Sequence, residues 1–207
     1  MLVAALLLSA PAGILSANAA QAPGAGPTAP ANAAFSSVEK LQLTLALARS
    51  YRLTDQPRRA LDTLAPLSAG PWPSAALEAE YHDEAARDEE ALNRPTEARG
   101  ELEKAIALDP TADRRFRLSQ LAERLGDRED ARRQLEMAVA AEPENMEYKA
   151  ALAYALRNSG DLAGAAQLRS SVVAAEPNRY AIREDLGYTY LGLGENDKAI
   201  EQFQMGD

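Results

Sequence analysis

Small and large apolar residues recur at helical spacing from Ser36 onward, and the pattern returns at a fixed interval. An alanine followed four residues later by a large apolar side chain marks most returns: Ala60 and Leu64, Ala98 and Leu102, Ala131 and Leu135, Ala199 and Phe203. Ala165 keeps the register, so the five alanines stand 38, 33, 34 and 34 residues apart. Twelve residues before each lies the second member of a pair: Leu47-Ala48, Ala85-Ala86, Leu118-Ser119, Leu152-Ala153 and Leu186-Gly187. Spacings of three and four place these residues on one face of a helix. The pattern therefore predicts two helices per unit, with small residues where they approach closely. Tyr51 and Tyr190, one turn along the first helix, fill the space beside the small positions.

Punctuation falls where this scheme needs it. Gly126-Asp127, Gly160-Asp161 and Gly194-Glu195 lie between the two helices of their units. Glycine supplies the left-handed residue that ends one helix, and the acidic residue favours the start of the next. Pro57 and Pro95 occupy the same turn in the first two units, at the first positions of the second helix, where proline is tolerated. Pro110, Pro143 and Pro177 close their units, twelve residues after the alanine. A period near 34 residues is the mark of a solenoid.

These residues resemble the tetratricopeptide repeat. The string Leu186-Gly187, Tyr190, Gly194, Ala199 and Phe203 has that family's spacing, and the unit from Arg114 to Pro143 is nearly as close. The resemblance implies an all-α fold, a right-handed superhelical solenoid of helix-turn-helix repeats. About five units are expected, at 41–74, 79–111, 112–145, 146–179 and 180–207, the last incomplete. An insertion around Gly70-Pro71-Trp72-Pro73 separates the first two, and Trp72 is expected to plug the gap it opens. The unfinished fifth unit exposes Leu191, Ile200 and Phe203, a face that suits end-to-end self-association.

The residues before the array read differently. Leu2 to Leu8 is an uncharged apolar run, and Ala17 and Ala19 form a small-residue cleavage pattern. Residues 1–20 are accordingly expected to be a secretory signal peptide, although no Lys or Arg precedes the run. The run is too short to span a bilayer. Residues 21–35, rich in Pro, Gly and Ala, read as a flexible linker, and 36–207 as the repeat array. The expected location is the periplasm or cell envelope.

Composition narrows the chemistry. The 207 residues hold no cysteine and one histidine, His82. Thiolate nucleophiles and cysteine- or histidine-rich metal sites are thereby excluded. With 22 basic against 31 acidic residues the chain carries -9, which disfavours nucleic acid. No metal site, cofactor or enzymatic activity is expected. Only paired carboxylates could do chemistry, and the acidic residues follow helical charge patterning. The cluster of Asp83, Glu84, Asp88, Glu89 and Glu90 beside His82, and the basic run Arg114-Arg115-x-Arg117, are expected to form solvated helix faces.

In the family this chain resembles, the first helices line a concave groove that binds partners. Carried over by position, the resemblance implies groove residues Arg49 and Arg52; Glu80, Asp83, Arg87 and Glu90; Phe116, Gln120, Glu123 and Arg124; Glu147, Tyr154, Arg157 and Asn158; Glu184 and Tyr188. The expected binding set is Arg49, Arg52, Arg87, Gln120, Arg124, Tyr154, Arg157, Asn158 and Tyr188. One adaptor class in the family grips a C-terminal carboxylate with a Lys/Asn/Arg clamp. Leu45 and Arg49 stand at the matching positions here, so the clamp is absent. Tyr154 and Tyr188 occupy one position in successive units, with Arg157 a turn below the first. Rigid aromatics beside a guanidinium suit a protein or peptide partner. The alternative is a polysaccharide, in an outer-membrane export or phage-adsorption assembly.

Overall fold

Five turns interrupt the helices within the units, and each is built on one residue with positive φ. They are Asp55 (59°), Asn93 (57°), Gly126 (82°), Gly160 (90°) and Gly194 (77°). Every one stands five residues before its unit's alanine. Asp and Asn are the residues other than glycine that best tolerate this conformation. The first two units thus keep the turn without the glycine, a substitution the sequence pattern had hidden behind Pro57 and Pro95.

The computed structural model describes residues 37–205. Its helices come in pairs: α1 (Ser37–Leu53) and α2 (Pro57–Leu64), α3 (Ala75–Ala91) and α4 (Pro95–Leu108), α5 (Ala112–Arg124) and α6 (Arg128–Ala141), α7 (Met146–Asn158) and α8 (Leu162–Ala175), α9 (Tyr180–Leu193) and α10 (Asn196–Gln204). No strand occurs among the described residues. The signal and linker expected at 1–20 and 21–35 lie outside those residues. Pro57 and Pro95 each open their helix. Asp127 and Asp161 cap α6 and α8 by accepting a backbone N–H three residues on. Glu195, one methylene longer, does not cap α10 and pairs with Lys198 at 2.6 Å.

Each helix packs on its neighbours in the chain, and the core runs along the whole array. The five period-marking alanines are all buried. Leu45, Leu64, Leu102, Leu121 and Leu186 are among the largest fully enclosed side chains. Trp72 does plug the insertion: its ring lies 4.9 Å from that of Tyr81 and packs on the core of the first unit.

Leu47 departs from its expected place in a packed pair and is 47% exposed, as is Leu43 at 53%. Their equivalents in the fourth unit, Leu152 and Tyr148, are buried against Leu135 and Ala138 of the preceding helix. Among the described residues no helix precedes α1, so the same stripe has nothing to cover it.

A second departure lies at Arg169, which occupies the position filled by Leu64, Leu102, Leu135 and Phe203 elsewhere. It is 1% exposed. Its guanidinium donates to the Thr189 hydroxyl and lies 3.5 Å from Asp185 Oδ2 on α9. A charge at a core position survives because both partners come from the next unit.

Glycine positions test this packing. A Cβ on Gly187 would lie 2.5 Å from the Phe203 ring, whereas one on Gly100, inside α4, would meet nothing within 4 Å. Gly187→Ala should destabilise the array by about 1–3 kcal/mol through overpacking. Gly100→Ala should stabilise it by roughly 0.5–1 kcal/mol through helix propensity. Urea unfolding followed by far-ultraviolet circular dichroism checks both; equal effects at the two sites would contradict the close approach of α9 and α10.

Candidate functional site

The first helices of the units form one wall, joined helix to helix by side chains. Arg49 and Arg52 of α1 reach Glu84 of α3, and Arg49 lies 3.3 Å from Glu80. Arg117 of α5 bridges Asp83 and Glu90 of α3. Phe116 stacks 4.9 Å from Tyr148 of α7, and Arg157 of α7 lies 3.9 Å from Asp185 of α9.

This wall changes character along its length. In the first three units its arginines are held by neighbouring side chains. Glu84 and Asp88 are buried, and Arg52 Nε stands 2.9 Å from Asp88 Oδ1. That approach is close enough for charge attraction but out of line for a hydrogen bond. Arg87 lies 3.2 Å from both Asp83 and Asp113, and Arg124 donates to the Asn93 side chain at 2.9 Å. The acidic cluster on α3 and the run Arg114-Arg115-x-Arg117 are therefore not the solvated faces expected. Arg117 pairs with Asp83 and Glu90 in an ion network, because α3 lies between two arginine-bearing helices, while Arg115 stands outside it and donates to Gln134 of α6. Arg114 joins it, 2.7 Å from Asp109 and 3.9 Å from Asp83. No group of His, Asp and Glu suited to a metal ion occurs among the described residues. His82 instead pairs with Glu101 of α4 at 2.6 Å.

In the last two units the wall is less occupied. Tyr154 and Tyr188 are 47% and 52% exposed. Arg157 is exposed, and its one carboxylate neighbour, Asp185, is shared with Arg169. The Tyr188 ring turns its edge to Phe203 at 5.3 Å, which fixes its orientation. Asn158 is exposed as well, and so is Gln120 on α5 of the third unit.

Of the nine residues expected to bind a partner, four are thus held by neighbours: Arg49, Arg52, Arg87 and Arg124. Tyr154, Tyr188, Gln120 and Asn158 have no polar side-chain partner among the described residues, and Arg157 is loosely paired. Asn158 also lines a cleft between α6 and α7 that sequence reading missed, since its walls come from three helices and the turn before α8. Asp185 and Arg169 were missed too. The break in apolar register at Arg169 was the signal available.

Burial has an electrostatic consequence at Asp88. Desolvation pushes its carboxyl from an ordinary 3.8 up to about 7; Arg52 of α1 opposes the rise, while Glu84 and Glu89 of α3 add to it. Between those values the folded chain keeps a proton that the unfolded chain has released. The contribution of Asp88 to stability therefore falls as pH rises through that window, the reverse of an ordinary paired carboxylate. Asp88→Asn should gain on the wild type by up to about 1.4 kcal/mol per pH unit between pH 4 and 7. Urea midpoints at pH 5 and 8 measure this; parallel pH profiles for the two proteins would refute it.

Comparison with known proteins agrees with this geometry. Residues 116–175, from α5 through α8, match the tetratricopeptide repeat family. The fold is similar to that of a MamA protein, at TM-score 0.72 and 18% identity over 82% of this chain and 91% of that one. MamA residues 41 to the end from Desulfovibrio magneticus RS-1 superpose at 0.69, with 18% identity over 81% and 93%. YrrB, described as a TPR protein with an unusual peptide-binding site, does so at 0.68, with 20% identity over 79% and 82%. No curated protein matches the chain in sequence.

Proposed function

We propose that this chain, an all-α solenoid carrying tetratricopeptide repeats, is a non-catalytic scaffold that binds an extended segment of a partner protein. The partner docks on the first-helix wall of the last two units, α7 and α9. One observation carries the reading: the wall's arginines are held by neighbours in the first three units, while Tyr154, Arg157 and Tyr188 are exposed in the last two. Binding over Arg52 would break its pairs with the buried Glu84 and Asp88, and leaving one partner of a buried pair behind costs about 3–5 kcal/mol. Binding over the tyrosines breaks nothing of the kind. Exposed tyrosines with two rotatable angles supply contact area at low entropic cost. A structural relative, YrrB, is described by its peptide-binding site, which is consistent with this use of the fold.

Affinity capture from an envelope extract tests it, with residues 21–207 as bait beside a Tyr154→Ala/Arg157→Ala/Tyr188→Ala bait. A protein retained by the first and lost by the second is expected, with each tyrosine worth about 1–2 kcal/mol. Carbohydrate enriched in place of protein would favour the polysaccharide reading. Identical captures by both baits would move the site off this wall.

The proposed location is the cell envelope, supported by the apolar run Leu2 to Leu8 and the small residues Ala17 and Ala19. Export should remove the first residues, leaving a mature chain that begins at Ala20 or Gln21. Mass spectrometry of protein from the periplasmic fraction reads that end directly. An intact Met1 on a cytoplasmic protein would contradict it.

A further inference from the structure

The cleft between α6 and α7 lies beside the wall but is not part of the tyrosine surface. Its volume is about 490 Å³, in the range of clefts that enclose small ligands or a large side chain. Ala131, Leu135 and Ala155 make an apolar floor. The room exists because two of these three residues are alanines. Ala131 is small to let the helices of its unit approach, and Ala155 faces it from the next unit.

The rim carries the information about a ligand. Arg132 is neutralised by Glu136 at 3.4 Å, one turn along α6. Asp161 is engaged in capping α8 through the Gly164 N–H. Glu123, at the end of α5, and Glu129, in the first turn of α6, have no ion-pair partner. Arg128 is the one cation of the lining left unpaired. The uncompensated charge around the apolar floor is therefore negative. The exposed Asn158 amide, on the opposite lip, can both donate to and accept from a passing backbone.

We propose that this cleft binds a partner peptide by one large aliphatic side chain flanked by lysine or arginine. The aliphatic group covers Ala131, Leu135 and Ala155, the basic neighbours face Glu123 and Glu129, and Asn158 holds the peptide backbone. This site goes beyond the tyrosine wall and does not depend on it.

The test titrates the full chain, labelled with nitrogen-15, with acetyl-Gly-Lys-Leu-Lys-Gly-amide. Two peptides run beside it, one with both Lys replaced by Glu and one with the Leu replaced by Gly. The leucine peptide with lysines should produce saturable amide shifts centred on Ala131, Arg132, Ala155 and Ser159, and the other two should bind at least tenfold more weakly. Glu123→Lys/Glu129→Lys, at exposed positions that leave the core untouched, should reverse the preference in favour of the glutamate peptide. Tyr154→Ala should leave these shifts unchanged, which separates this cleft from the wall of α7 and α9. Equal binding of the glycine peptide would overturn the apolar anchor. An unaltered preference in the double variant would overturn the charge argument. Absence of local shifts up to about 1 mM peptide, an affinity near −4 kcal/mol, would overturn the site itself.

Discussion

Everything in this molecule depends on how closely two helices can approach at one alanine. Ala60, Ala98, Ala131, Ala165 and Ala199 each sit where the second helix of a unit meets the first, and all are enclosed. A small side chain at that point sets the distance between helices, and close packing leaves little tolerance for another size. The positive-φ residue five positions earlier turns the chain so that the alanine faces inward. At Gly187 the approach is so close that a Phe203 ring occupies the place of a Cβ. Once that contact is repeated at a constant interval, each unit presents the same unfinished face, and the next unit covers it.

Repetition of the packing leaves the electrostatics free to differ from unit to unit, and they do. Between α1, α3 and α5 the wall is stitched by arginine–carboxylate pairs, several of them out of water. Such pairs contribute little net stability against an apolar alternative, but losing one partner is expensive. Their geometry, spanning adjacent units, suits a lock on register more than glue. Asp88, crowded by Glu84 and Glu89 and reached by Arg52 off-line, marks where that lock is least comfortable. Between α7 and α9 a single carboxylate, Asp185, serves both Arg157 and Arg169. The tyrosines there stay exposed, so the same architecture closes one end of the wall and leaves the other open.

Much of the fold was legible because period and punctuation are local properties. Pairs such as Leu152-Ala153, the turn Gly160-Asp161 and the proline openings at Pro57 and Pro95 report on the backbone within a few residues. Their places in the structure follow directly. The misreadings share another cause. Arg117, Glu84 and Asp88 look like members of an exposed charged face, since opposite charges at helical spacing usually are. Their partners lie 27 to 36 residues away, at the neighbouring unit, and no window along one helix contains them. Leu47 failed for the complementary reason: its local pattern is that of a packed residue, but burial needs a neighbour that α1 does not have among the described residues.

By itself the sequence determined that this chain forms paired helices, where they turn, and which side of each faces its partner, because steric size and backbone conformation are carried by single residues. Tertiary structure alone decided which charges are neutralised, which of nine candidate binding residues remain available, and that a cleft opens over Ala131 and Ala155. Those outcomes depend on the distance between side chains from different units, a quantity set by stacking and written in no one stretch of chain.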